Sequence, residues 1–92
     1  MKTLHQFLLG NLLISDKARS TISIDGDVNP ALNLHLAGYW GDAQGTKEWV
    51  KNDALLKAKG VVTSVFNSLG GAQFKISTDL QNHVSQVKLE NE

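Results

Sequence analysis

Three groups of side chains in this sequence could do chemistry: the histidines His5, His35 and His83, the acidic and amide run Asp25–Asn29, and the glycine-rich stretch before Lys47. Asp25-x-Asp27-x-Asn29 sets oxygen atoms at alternate positions, as a calcium loop does. Such a loop next needs glycine for a sharp turn and later a bidentate glutamate; here those places hold Pro30 and Leu36. The run therefore reads as turn chemistry. Gly41-Asp42-Ala43-Gln44-Gly45-Thr46-Lys47 has the composition of a phosphate loop. Its glycines stand one residue too close, and Thr precedes Lys instead of following it. The expected role is a helix start with Thr46 as N-cap.

None of the histidines has an i, i+4 partner that would make a metal pair. His35 alternates with Leu34 and Leu36, which predicts a place on the polar face of a strand. Asp25, Asp27 and Asp42 supply carboxylates without the spacing of an acid–base pair. No serine sits in a nucleophile elbow. Cysteine is absent, so disulfides, thiolate metal sites and a cysteine nucleophile are excluded. No metal or cofactor is expected, and no constellation supports an enzyme.

Binding is better represented. Tyr39, Trp40 and Asp42 lie in the loop Gly38–Gly45, where glycines allow close approach and aromatics offer contact area. They are the candidate ligand- or partner-binding residues; the bland alternative is that Tyr39 and Trp40 cover the open end of the core. A second candidate surface is the stripe Trp49, Leu56, Gly60 and Thr63. On a continuous helix these would share the face away from the core, and small residues there favour close helix contact with a second chain.

The elements that must carry these residues follow from periodicity. Lys2 to Ser15 is expected to be helical, the alternative being a helix to Leu9 followed by a strand at 11–15. Ser20–Asp25 and Ala31–Ala37 alternate with period two and predict a hairpin across the Asp25–Pro30 turn. From Thr46 to Leu69, Val50, Ala54, Leu55, Ala58, Val61, Val62, Val65, Phe66 and Leu69 fall within an arc of roughly 160° on a helical projection. Gly70-Gly71 reads as its stop. Thr78-x-x-Gln81 resembles a capping box. The favoured reading is nevertheless a second hairpin across Asp79–Asn82, with Phe74 facing Val87, Ala72 facing Leu89 and Ile76 facing Ser85.

The expected fold is thus α+β: one domain over residues 1–92, a two-layer sandwich of four antiparallel strands under two helices, in the order α-β-β-α-β-β. At 92 residues, 41% apolar and 20% charged, the chain is ordinary globular protein. Basic and acidic residues balance at nine each. Lys47, Lys51, Lys57 and Lys59 are interleaved with Glu48 and Asp53, which disfavours nucleic acid as a partner. No stretch approaches the ~20 apolar residues of a membrane span. The apolar run Phe7–Ile14 is interrupted by Asn11 and lacks a cleavage site, so no signal peptide is expected. Lack of cysteine points to a reducing compartment such as the cytoplasm. Together these features suggest a small non-catalytic interaction module, accessory or inhibitor-type, forming a homodimer through the long helix. The alternative is a small-ligand-binding domain or minor enzyme with a pocket near Gly38–Gly45.

Overall fold

The computed structural model describes residues 9–41 and 45–90. Strand β1 (Asn11–Ile14) is followed by helices α1 (Asp16–Thr21), α2 (Asn29–Leu36) and α3 (Thr46–Ala58). Strands β2 (Val61–Asn67), β3 (Gln73–Asp79) and β4 (Val84–Leu89) come next. A single π-helical turn, Ile24–Val28, leads into α2. The sheet order is β1-β4-β3-β2. β2, β3 and β4 form an antiparallel meander, and β1 joins β4 in parallel, Asn11 beside Val84. Among the described residues the fold is α+β with four strands as expected, but the sheet is mixed and three helices precede the meander.

Several elements differ from the sequence expectation, each for a physical reason. Asn11–Ile14 is the strand alternative, not the end of a helix; residues 2–8 lie outside the described region. Ser20–Asp25 is no strand, because two serine caps claim its surroundings. Ser15 Oγ accepts from Ala18 N at 3.1 Å and starts α1. Ser23 Oγ accepts from Gly26 N at 3.0 Å while Ser23 N donates to Asp27 Oδ2 at 2.9 Å, the reciprocal logic of a capping box. Ala31–Ala37 is helical for a related reason: Pro30 stands in the first turn of α2, where its missing N–H costs nothing. The apparent strand alternation of Leu32 and Leu36 is equally an i, i+4 pair.

The largest correction concerns residues 46–69. Helix α3 stops at Ala58; Lys59 takes the left-handed conformation at φ 57° and Gly60 leads into β2. Val61, Val62, Val65 and Phe66 are β-branched or aromatic, and that side-chain class favours a pleated strand over a helix. Gly45, not Thr46, holds the N-cap position of α3.

The β3–β4 hairpin forms, two residues away from the expected register. Phe74 pairs with Leu89, Ile76 with Val87 and Thr78 with Ser85. An even shift keeps every side chain on its face. The turn is built by Asp79, whose carboxylate accepts from Gln81 N, Asn82 N and Asn82 Nδ2. The Asn82 side-chain hydrogen bond, followed by its backbone one, holds the Asp79 carboxyl below the usual carboxylate range.

One face of the sheet is buried. Val62, Ser64 and Phe66 on β2, Phe74, Ile76 and Thr78 on β3, and Ser85, Val87 and Leu89 on β4 point inward. Phe66, Phe74, Ile76, Val87 and Leu89 meet Ala18, Ile22, Val28, Ala31 and Leu32 from the helical layer. Beyond β2 the sheet is closed by other means. Val65 N donates to the Trp40 carbonyl at 3.2 Å. Asn52 on α3 then acts as a one-residue strand: its Nδ2 donates to Thr63 O at 2.8 Å and its Oδ1 accepts from Thr63 N at 3.1 Å. Asn52 is itself buried. Gly41, at φ +96°, lies so close that a Cβ would fall on the Val65 carbonyl. Replacing Asn52 by alanine strands two backbone groups at this edge and should cost about 1–3 kcal/mol in urea unfolding. A loss below about half a kilocalorie would mean that water serves the edge equally well.

Candidate functional site

The residues singled out in the loop and on α3 are drawn inward. Trp40 is 0% exposed; its Nε1 donates to Asp53 Oδ1 at 2.9 Å. Its ring meets His35 edge-on at 5.6 Å between centroids. Tyr39, half-buried, packs T-shaped against Trp49 at 5.0 Å and stacks on Phe66 at 6.3 Å. Trp49 Nε1 donates to the Gly41 carbonyl at 3.1 Å. Tyr39, Trp40 and Trp49 therefore form one internal aromatic clasp holding α3 to the sheet edge, and Trp40 is unavailable to a ligand. Asp42 lies outside the described residues.

The stripe Trp49, Leu56, Gly60 and Thr63 does not exist as a helical face. Trp49, Asn52 and Leu56 lie on the sheltered side of α3; of the expected core arc on this helix, Leu55 is half-buried, whereas Val50, Ala54 and Ala58 are exposed. Gly60 is the joint between α3 and β2, and Thr63 belongs to β2, its hydroxyl 3.1 Å from Ser77 Oγ. The helix presents to its own subunit the side that the sequence suggests for a partner.

His35 is the one histidine at the centre of the described molecule. It is 0% exposed on α2 and faces the sheet, not solvent. Its Nδ1 contacts Ser64 Oγ on β2, and its Nε2 lies 2.9 Å from Thr78 Oγ1 on β3. Thr78 Oγ1 continues to Ser85 Oγ on β4 at 2.8 Å. Ser85 Oγ donates to the Leu9 carbonyl at 2.6 Å, and Ser64 Oγ to the Tyr39 carbonyl at 3.4 Å. Every side chain on this path is buried. Burial, which disfavours the charged imidazolium, lowers the His35 pKa from 6.5 to about 4. A serine beside a histidine is the pairing that nucleophilic catalysis uses. Here neither atom is reachable by a substrate, and the path itself includes no carboxylate. It is a structural tie between α2 and three strands. It also explains the observed register: with Ile76 opposite Ser85, the Ser85 hydroxyl would face isoleucine instead of Thr78.

Among the accessible hollows of the described residues, larger ones lie beside Thr21 and Leu89 and beside Val61 and Val84, and a smaller one is an apolar groove between α2 and the sheet. Asp27, Pro30, Ala31 and Leu34 line one side at helical spacing; Phe66 and Phe74 form its floor, and Leu69 in the β2–β3 turn stands at its rim. The cavity measures about 200 Å³, ample for an aliphatic side chain, since a void of ~150 Å³ admits benzene. Leu34 is 44% exposed and Leu69 90%. The turn that carries Leu69 is tied down. Leu69 N donates to Asp27 Oδ1 at 2.9 Å, Ala72 N to Ser68 Oγ at 3.0 Å, and Ser68 N to Ala72 O at 2.8 Å. Asp27 thus spends one carboxylate oxygen on its own cap and the other on the hairpin tip.

Sequence reasoning misses this groove because Leu69 counts there as the last core residue of a helix. The available signal is Ser68-Leu69-Gly70-Gly71, a turn composition between two β-rich runs. Among the described residues no three His, Asp or Glu side chains converge as metal ligands, and no helix is long and apolar enough to cross a membrane. No protein-family model, curated protein or solved structure matches the chain.

The placements of Leu69 and Phe74 have opposite consequences for stability. Leu69→Ala should change the unfolding free energy by no more than about 0.5 kcal/mol, as a surface substitution does. Phe74→Ala, on the groove floor and 1% exposed, should cost about 3–5 kcal/mol. Chemical denaturation of both variants checks the pair; a core-sized loss at Leu69 would contradict its placement.

Proposed function

We propose that this chain is a non-catalytic protein-interaction module that pairs with a second copy of itself through the apolar groove, with Leu69 as the inserted side chain. The observation that carries the proposal is Leu69 itself, 90% exposed on a turn fixed by the Asp27 carboxylate. Full burial of a leucine is worth about 1.5–3 kcal/mol, and a turn whose backbone is already held in place loses little further freedom on docking. Rigid apolar anchors beside pockets are the usual centres of binding energy.

The second copy is favoured because projection and cavity belong to one patch. A two-fold axis through that patch sends each Leu69 into its partner's cavity, which is what an isologous contact requires. Asp27, the charged side chain on the lining, has both carboxylate oxygens engaged by backbone N–H groups, so the joint need not bury a bare charge. Balanced, interleaved charges speak against nucleic acid as the partner. The absence of cysteine supports a cytoplasmic location.

Native mass spectrometry and light scattering test the pairing. At concentrations on the order of tens of micromolar the protein should have twice the 10.0 kDa mass of one chain. Leu69→Asp and Leu34→Asp should each return it to a single chain with unchanged circular dichroism. A monomeric wild-type protein under these conditions overturns the proposal.

A further inference from the structure

The two borders of the sheet are finished differently. Along β2, the Trp40 carbonyl, the Asn52 amide and the close approach of Gly41 close the edge. Along β1 no such cover is present among the described residues. β1 pairs with β4 in parallel, and a parallel ladder uses every second residue of a strand. Asn11 N donates to the His83 carbonyl at 2.8 Å and Ser15 N to the Val87 carbonyl at 3.0 Å. By that alternation Asn11 and Leu13 direct their backbone groups to β4. The N–H and C=O of Leu12 and Ile14 point the other way, along the outer border of the sheet, and no hydrogen bond engages them among the described residues.

This border is firmly held although it is short. Gly10, at φ +67°, lies so near the His83 carbonyl that a Cβ would fall on it, which fixes the start of β1. The bond from Ser15 N fixes its end. Asn11-Leu12-Leu13-Ile14 has no lysine, no proline and no charge, the devices that commonly discourage pairing at an edge. Leu12 and Ile14 share the inward face with Ser85 and Val87, whereas Leu13 stands beside Gln86 on the outer face, 55% exposed.

We infer that β1 pairs antiparallel with β1 of a second copy, joining two four-stranded sheets into one of eight. The outward backbone groups meet when Leu12 of one copy lies opposite Ile14 of the other. Each of these four residues then donates one N–H and accepts at one carbonyl, which gives four bonds. Leu13 stands on the two-fold axis and faces its own copy. Opposed residues keep the same face, so the buried layer runs unbroken across the joint while the Leu13 pair covers it outside. An uncharged strand meets its own copy without like-charge repulsion, and a partner recognised by charge would find nothing there to read. The contact is separate from the groove, because β4 lies between β1 and the strands β3 and β2 that line the groove. It is also small, so its dissociation constant should be on the order of 0.1–1 mM.

Leu69→Asp protein, in which the groove contact is removed, isolates this edge. Sedimentation should show it as a single chain at about 20 µM and paired at about 2 mM. Amide hydrogen exchange read by NMR should show Leu12 and Ile14 gaining protection over the same range, with Asn11 and Leu13 protected throughout. Adding Leu13→Lys should leave circular dichroism unchanged and abolish that gain, since it sets two like charges opposite each other on the axis. A Leu69→Asp protein that stays single at the higher concentration overturns the edge contact and leaves the groove reading standing. Pairing without protection at Leu12 and Ile14 overturns it too, as does protection already complete at the lower concentration, which would mean that the chain covers this border itself.

Discussion

The architecture depends on how one imidazole is accommodated between a short helix and a sheet. A buried polar ring is tolerable only when its nitrogens find partners, and here the partners come from neighbouring strands. Ser64, Thr78 and Ser85 occupy inward positions that would otherwise suit valine. Their alignment exists in one register: Thr78 opposite Ser85, with Ser64 diagonal to Thr78. Sliding β4 by two residues preserves the apolar face but separates the hydroxyls. Hydrophobic burial therefore selects the face and the polar path selects the register. The same path fixes α2 over the sheet, which brings Trp40 to the edge of β2 and allows α3 to close that edge through Asn52.

The aromatic residues and the groove have separate duties. Tyr39, Trp40 and Trp49 satisfy one another and the chain around them, with both indole N–H groups donating to internal acceptors. Their cost of exposure is avoided internally. Leu34 and Leu69 show the opposite balance, remaining in solvent although a cavity lies beside them. A small domain has little apolar surface to leave unused, which gives an exposed leucine on a tied turn more weight than scattered surface hydrophobes receive.

The parts legible in the sequence are those where side-chain period and turn chemistry agree. The hairpin around Asp79–Asn82 is an example: alternating residues flank a group of turn formers, and both signals point the same way. Ala31–Ala37 is illegible by periodicity, because Leu32, Leu34 and Leu36 fit a strand while Leu32 and Leu36 also fit a helix. Pro30 at the helix start is the deciding residue. Residues 46–69 mislead more seriously. Val61, Val62, Val65 and Phe66 continue the helical arc of Val50, Ala54 and Ala58 by coincidence, and only Lys59-Gly60 marks the break. The site is less legible still. His35 reads as an exposed strand residue until α2 is recognised, and its three hydroxyl partners lie on strands whose register depends on that same histidine.

Parallel pairing of β1 with β4 carries a consequence for biosynthesis. As the chain leaves the ribosome, the segment destined for one border of the sheet emerges well before the strand that must receive it. Ser85, which anchors the carbonyl of Leu9, arrives equally late. Leu12 and Leu13 must remain in water until then, and they are still 37% and 55% exposed once the sheet is complete. Non-local closure of this kind delays folding and leaves apolar segments open to wrong neighbours in the meantime. The waiting strand is thus an apolar segment that the nascent chain leaves unpaired until its last strand is made.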